Sequence, residues 1–249
     1  MSDTAKAEEM LFTRAGLDRN KVQTLVDGAL DGCDDGELFM EYKQSEALAW
    51  DDGRLKSASF DTSQGFGLRA VSDESTGYAH ASELSEAAIK RASDTVQSVR
   101  QGRSGTMADG PTGTNQSLYI DDNPLNDVPF EEKVKLLEEI DAYARGRDDR
   151  VRQVSASLAG SWQGVEILRS DGMRAGDVRP LVRFNVSIVM GEGDRQETGS
   201  FGTGGRTLYA DYLKPESWKA AIDEAMRQAD VNLSSVPAPA GTVPVVLGP

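Results

Sequence analysis

Apolar positions recur along this chain in two distinct periods, and the alternation between the periods outlines its elements. Leu17, Val22, Leu25, Val26, Ala29 and Leu30 fall at helical spacing, with Asp18 and Asn20 as candidate N-caps and Gly32 and Gly36 closing the segment. Residues 1–16 before it are polar and predict a frayed or weakly helical start. Period-two runs follow: Glu37–Gln44, Glu46–Asp51, Leu55–Asp61, Gly65–Ser72 and a short Gly77–Ala81. Asp52-Gly53 between two such runs predicts a hairpin turn, and a second turn falls at 73–76. Glu83–Val99 returns to the helical period, with Leu84, Ala88, Ile89, Ala92 and Val96 on one face and Ser82 or Ser85 as its cap.

The order then repeats. Residues 101–117 have the Gly, Ser, Thr and Pro content of a linker. Phe130–Ala144 reads as a helix, with Arg145 and Arg147 at its C-terminal end, where cations complement the helix dipole. Strands are predicted at Val151–Ser161, Gly164–Ser170, Arg174–Asp177, Val182–Met190 and Gln196–Ser200, and Trp218–Val231 is a final amphipathic helix. Val182, Phe184, Val186, Ile188 and Met190 alternate strictly, as a half-buried strand requires. Asp52-Gly53 and Asp171-Gly172 are separated by 119 residues, and the same offset lays Gly67–Val71 on Val186–Met190. The predicted class is α+β, built as two helix–antiparallel sheet–helix units that form a structural duplication. The units are residues 1–105 and 116–235. Residues 234–241 form a second linker, and 241–249 read as the first strand of a further unit.

Charge and composition narrow the role. The chain has 249 residues, a net charge of −14 and a pI near 4.6. Binding to nucleic acid draws its affinity from Lys and Arg neutralising phosphates, so this charge argues against it. No apolar run approaches the ~18 residues of a membrane span. The N-terminus has no signal-peptide pattern. The single cysteine, Cys33, makes no internal disulfide and suits a reducing compartment. The cytoplasm is the expected location.

Candidate chemistry is sparse. His80 is the one histidine, and no His-Glu-x-x-His or Cys-x-x-Cys spacing occurs, so a zinc site with two or three protein ligands cannot be assembled from motifs here. No Gly-x-Ser-x-Gly surrounds a serine. Gly199-Ser-Phe-Gly-Thr-Gly-Gly-Arg206 is glycine-rich enough to wrap an anion, but it lacks the Gly-Lys-Ser/Thr ending of a phosphate loop and leaves an antiparallel run. It reads as a turn or as a backbone-lined surface for a peptide or a neighbouring domain. Paired acids such as Glu131-Glu132 and Glu138-Glu139 lie opposite apolar helix faces and read as solvated surface.

Several segments together resemble the TldD/PmbA metallopeptidase family, on its TldD branch. They are Glu37-Leu-Phe-Met-Glu-Tyr-Lys43, Asp51-Asp-Gly-Arg-Leu-Lys-Ser-Ala-Ser-Phe60, Gln64-Gly-Phe-Gly-Leu-Arg-Ala-Val71, Ser155-Ala-Ser-Leu-Ala-Gly160, Asp177-Val-Arg-Pro-Leu-Val-Arg-Phe-Asn-Val186, Gly199–Arg206 and the closing Val236–Pro249. The resemblance runs from about Asp18 to the last residue. It implies the N-terminal and central domains of a cytoplasmic zinc peptidase that acts on peptides and unfolded segments. The implied partner is a PmbA (TldE)-like subunit or a second copy of the chain, and the family also carries the label "modulator of DNA gyrase". The family's metal motif, His-Glu-x-x-x-His with a later Cys, has no counterpart among these residues. The resemblance therefore implies no catalytic or metal residue and no cofactor in this chain, with zinc belonging to the full-length protein, and a chain inactive alone. A free-standing adaptor or an inactive PmbA-type subunit is the alternative. Gly199, Ser200, Gly202, Gly204, Gly205 and Arg206 are the expected substrate-binding residues, because glycine backbone admits a close peptide and a guanidinium fork matches a carboxylate.

Overall fold

The structure is a computed structural model that describes residues 3–100, 105–113, 116, 118–238 and 240–248. Of the expected linker, 101–104, 114, 115 and 117 lie outside the described residues, as does Pro249 of the expected last strand. Six strands, β1 (Asp35–Asp51), β2 (Arg54–Ser72), β3 (Ser75–Ala81), β4 (Val151–Leu168), β5 (Arg174–Glu192) and β6 (Arg195–Gly205), form a single sheet. Its order is β3-β2-β1-β4-β5-β6, and every pairing is antiparallel. Each half contributes three strands, and the β1–β4 ladder, from Leu38↔Leu168 to Asp51↔Ser155, joins them. The strand order is symmetric about that ladder, as a duplicated unit would arrange it.

The expected short strands fuse pairwise into long ones. Glu37–Gln44 and Glu46–Asp51 become the 17 residues of β1, and the pairs behind β2 and β4 merge likewise. At the seams, small and polar residues such as Ser45, Ser63 and Ser161 blur the apolar alternation without interrupting the backbone ladder.

Helices α2 (Arg19–Leu30), α3 (Glu86–Val96), α4 (Phe130–Arg147) and α6 (Pro215–Leu233) cover one face of the sheet, and a single turn, α5 (Tyr209–Tyr212), precedes α6. Alternation fixes which face. Leu38, Met40 and Tyr42 of β1 enter the core under α2 and α3, whereas Leu48 and Trp50, at the same parity, enter the core under α4 and α6. Asp18 caps α2 by accepting from the Asn20 and Lys21 amides (2.9 and 3.2 Å), and Ser85 caps α3 by accepting from Ala88 N (3.1 Å). A buried ion pair crosses between the halves. Lys133 of α4 donates through Nζ to Glu46 of β1 and to the Leu125 carbonyl (3.0 Å), and lies 4.5 Å from the Tyr209 ring centroid.

Three stretches outside the main elements take the following form. Of the two alternatives for the polar N-terminus, frayed or weakly helical, it takes the helical one and packs firmly: α1 (Asp3–Glu8) and a π-turn over Glu9–Thr13 bury Ala7, Met10, Leu11 and Phe12. The consecutive apolar triplet has no helical spacing in sequence, but the wider π-turn turns all three residues inward. The described part of the linker is held by both halves at Gly105 and Ala108. Gly105 N donates to Gly32 O, Ala108 N donates to Asp34 O, and Arg169 Nη2 donates to Ala108 O. Residues 242–248 form no strand, and Val243, Val245, Val246 and Leu247 are exposed, since no neighbouring strand pairs with them.

Candidate functional site

The glycine-rich stretch Gly199–Arg206 is strand rather than loop: all of it but Arg206 lies in β6, the terminal strand beside β5. Its glycines have packing reasons. A Cβ on Gly199 would stand 1.9 Å from the Ala225 carbonyl oxygen and 2.6 Å from the Ala229 nitrogen, so glycine lets α6 lie directly on β6. A Cβ on Gly204 would meet the Val182 carbonyl oxygen at 2.3 Å, and one on Gly205 the Tyr212 hydroxyl at 2.4 Å. Ser200 N donates to Gln228 Oε1 (3.3 Å), and Gly202 pairs with Asn185. Arg206, just past the strand, sets its guanidinium 5.1 Å from the Tyr119 ring centroid. Tyr119 in turn donates its hydroxyl to Asp177 (3.0 Å), which also accepts from Arg179 Nε (2.6 Å). Burial and the Asp177 carboxylate push the Tyr119 phenol above its usual range.

Beside Ser200 and Gly202, the helix-free face of the sheet holds a groove of about 550 Å³. Asp51, at the end of β1, accepts from Gln153 Nε2 (2.8 Å), Ser155 Oγ (2.8 Å) and Lys56 Nζ (3.0 Å). Those hydrogen bonds, Gln153 first and then Lys56, hold its carboxyl well below the usual carboxylate range. Arg183 Nε donates to Asn185 Oδ1 (3.0 Å), whose amide donates to Ser157 Oγ (3.4 Å). The groove thus offers a fixed carboxylate with its lysine on one side and a guanidinium–amide pair on the other. The sequence does not single these residues out, because the apolar half of the β5 alternation is the stronger pattern. Its polar half, Arg183, Asn185 and Ser187, contributes one wall of the lining.

Such a surface can hold an extended polar chain, but it carries no nucleophile–base pair. His80 lies on β3 at the opposite edge of the sheet, stacked 5.6 Å from Tyr78. Cys33 is buried, with its thiol 3.9 Å from the Ala29 carbonyl. Among the described residues no three His, Cys, Asp or Glu side chains are grouped to hold a metal ion, so the residues present do not fit a zinc site. Among the same residues, no helix is long and apolar enough to cross a membrane.

Fold and groove together define an α+β unit: one antiparallel sheet, helices on one side and a polar trough on the other. Sequence models of the PmbA/TldA metallopeptidase domain 1 and central domain match residues 36–98 and 123–233, and the chain belongs to the PmbA/TldD metallopeptidase family. A protein named metalloprotease TldD homolog from Haemophilus influenzae is 38% identical over 223 residues, which are 86% of this chain and 46% of the relative. One of the same name from Buchnera aphidicola subsp. Schizaphis graminum is 34% identical over 248 residues, covering 96% and 51%. The chain spans about half the length of the curated relatives it matches. Its fold is shared with a solved Bacteroides thetaiotaomicron protein titled for modulation of DNA gyrase, at a TM-score of 0.67 and 16% identity, over 84% of this chain and 49% of that one. It is shared also with TldE from Thermococcus kodakarensis, at 0.62 and 15%, over 84% and 47%.

Proposed function

We propose that this chain forms the N-terminal and central parts of a longer TldD-like zinc metallopeptidase, and that the β5–β6 groove holds an extended peptide or unfolded segment. The metal and its ligands would belong to residues of the longer protein outside this span. What supports the reading is the pairing of a terminal, glycine-bearing strand with a polar trough. A peptide laid along β6 gains main-chain hydrogen bonds that are indifferent to its sequence, as a broad-range peptidase needs. Arg206 and Arg183 supply the cations that take up a carboxylate of the bound chain. Gly199, Ser200, Gly202, Gly204 and Gly205 contribute backbone, and their lack of bulk keeps β6 flat against α6 and β5 as well as open to a ligand. The other faces of the module would meet a PmbA (TldE)-like subunit or a second copy.

The test uses the full-length protein assembled with its partner. Arg206→Ala and Arg183→Ala should each lower peptide turnover roughly tenfold, about 1.4 kcal/mol of transition-state stabilisation, with the melting temperature and metal content unchanged. Full turnover in both variants would remove the groove from substrate binding. Glycine replacements in β6 are unsuited to the purpose, because a side chain at Gly199 or Gly204 meets backbone and tests folding instead.

A further inference from the structure

On the helix-free face, at the other end of the sheet from the β5–β6 groove, the first half holds a second hollow of about 330 Å³ across β1, β2 and β3. Alternation sets its walls. Phe39, Gly67 and His80 stand opposite one another on the three strands, and Glu41 stands opposite Gly65 one row further along. Glycine shapes the floor. A Cβ on Gly67 would meet the Tyr78 hydroxyl at 2.5 Å, so the Tyr78 ring folds down over the strand, and it stacks on His80 at 5.6 Å. The shelf so formed faces solvent, with Tyr78 61% exposed. Beside it, half-buried Glu41 accepts from Gln163 Nε2 through Oε2 (2.7 Å) and makes no ion pair among the described residues. Arg69, opposite Tyr78, is held instead by Asp35 and Glu37 (2.6 and 2.8 Å).

We propose that this hollow is a binding site for a guanidinium group. A half-buried carboxylate without a cation of its own calls for a positively charged ligand, and the net charge of −14 draws cations to the surface. The flat Tyr78–His80 shelf, with Phe39 beside it, selects among cations. A guanidinium is planar and stacks on an aromatic face while donating in its plane, whereas an ammonium is a compact point charge. Glu41 Oε1, which the Gln163 bond leaves over, and Oε2 together match the guanidinium fork. Other ligands fit less well. An anion would meet the Glu41 carboxylate, and a neutral ring would cover that charge without pairing it. The same group is carried by an arginine of a polypeptide and by free arginine. The inference stands apart from the peptidase reading and is tested without turnover.

The experiment titrates the 15N-labelled chain at neutral pH and low salt with methylguanidinium chloride, and follows the amide signals of Gly65, Gly67 and His80. Parallel titrations use the capped tripeptide acetyl-Ala-Arg-Ala-amide, its lysine and citrulline counterparts, and free L-arginine. Methylguanidinium and the arginine peptide should both move those signals. The arginine peptide should bind roughly tenfold more tightly than the citrulline peptide, which keeps the shape and loses the charge, and about threefold more tightly than the lysine peptide. Glu41→Gln should weaken the arginine peptide roughly tenfold and Tyr78→Ala about threefold, with melting curves unchanged. Glu74→Gln, in the exposed turn between β2 and β3, removes the same charge outside the hollow and should leave binding as it was. Tighter binding of the peptide than of free arginine assigns the site to a polypeptide ligand, and the reverse to the amino acid. Signals unmoved by both methylguanidinium and the arginine peptide would overturn the proposal. So would a citrulline peptide that binds as tightly, or equal losses in Glu41→Gln and Glu74→Gln, which would trace the affinity to net charge alone.

Discussion

Along β5, Arg174–Leu181 has no strand on its outer side, just as Arg54–Gln64 of β2 has none. The two stretches occupy corresponding places in the two halves, yet their surroundings differ. The β5 edge is packed by α1, with Arg174 bonded to Glu8 (3.0 Å) and Tyr119 bonded to Asp177, and only Leu181 of the eight residues is exposed. It also contains Pro180, which lacks an amide to offer a neighbour. The cover comes from both units: α1 belongs to the first, and Tyr119 to the start of the second. The turns differ as well. β1 and β2 meet in a two-residue turn, with Asp52 and Gly53 both at positive φ (49° and 84°), the geometry that matches strand twist. Five residues join β4 to β5, with Arg169 N donating to Met173 O (3.1 Å) and the Arg169 side chain buried against Asp35 and Ala108. A repeated element order thus leaves the edge of one half covered and that of the other open.

Beside the β1–β4 ladder, the buried pair Lys133–Glu46 links the halves, and breaking it should have the largest effect. Lys133→Met leaves the Glu46 carboxylate buried without its cation, a loss of ~3–5 kcal/mol and a fall in melting temperature on the order of 10 °C. The double variant Lys133→Met/Glu46→Leu removes both charges and should recover most of that stability. If the single variant melted like the wild type, the pair would not join the halves. A double variant as unstable as the single one would mean that the cost lies in packing around Lys133 rather than in the unpaired charge.

A smaller effect separates the covered edge from the bare one by pH. Glu166 of β4 is fully buried beneath the N-terminal segment, bonded to Arg174, with Glu8 and Arg19 also in its field. Burial is the main cause that pushes its carboxyl above the ordinary value of 4.5, and Arg174 acts in the opposite direction. The unfolded chain therefore releases this proton at lower pH than the folded one. The associated stability is fully present below 4.5 and is lost as pH rises through the folded value. Urea melts of the wild type and Glu166→Gln across that window should differ in slope, with the wild type losing stability relative to the variant as pH rises. Parallel curves would show that Glu166 titrates alike in both states.

Much of this asymmetry was hidden in the sequence for definite reasons. The four long helices were legible because each places its apolar residues at 3.6 spacing over three or more turns. The strand regions were legible too, but not their lengths, since Ser45, Ser63 and Ser161 interrupt the apolar rhythm within continuous ladders. The β1–β4 pairing that makes one sheet connects residues more than 100 positions apart, and no local pattern encodes it. Met10-Leu11-Phe12 stands in an otherwise polar stretch, and the bare apolar triplet among charges is itself the signal of its burial. Glycines at 199, 202, 204 and 205 suggested a loop. Steric room for α6, Asn185, the Val182 carbonyl and Tyr212 explains them within a strand.

The smallest expected effect compares one glycine from each half. Gly28 in α2 and Gly146 in α4 both sit within helices, and a Cβ added at either would meet nothing within 4 Å. Alanine removes conformational freedom from the unfolded chain and adds no strain when the native backbone is helical, so each change should stabilise. Gly28 is followed by two further helical residues, and its carbonyl accepts from Gln97 Nε2 (3.0 Å), which ties that turn to the chain just past α3. Gly146 is followed by Arg147 alone before α4 ends, where backbone frays and less order is gained. Gly28→Ala should therefore add about 0.5–1 kcal/mol and Gly146→Ala about half as much, read from urea midpoints at unchanged m-value. Equal gains would mean that the last turn of α4 is as firmly held as that of α2. A loss at Gly28 would mean that the turn bonded to Gln97 needs the freedom of glycine, and that the first half is finished less tightly at its helices as well as at its edge.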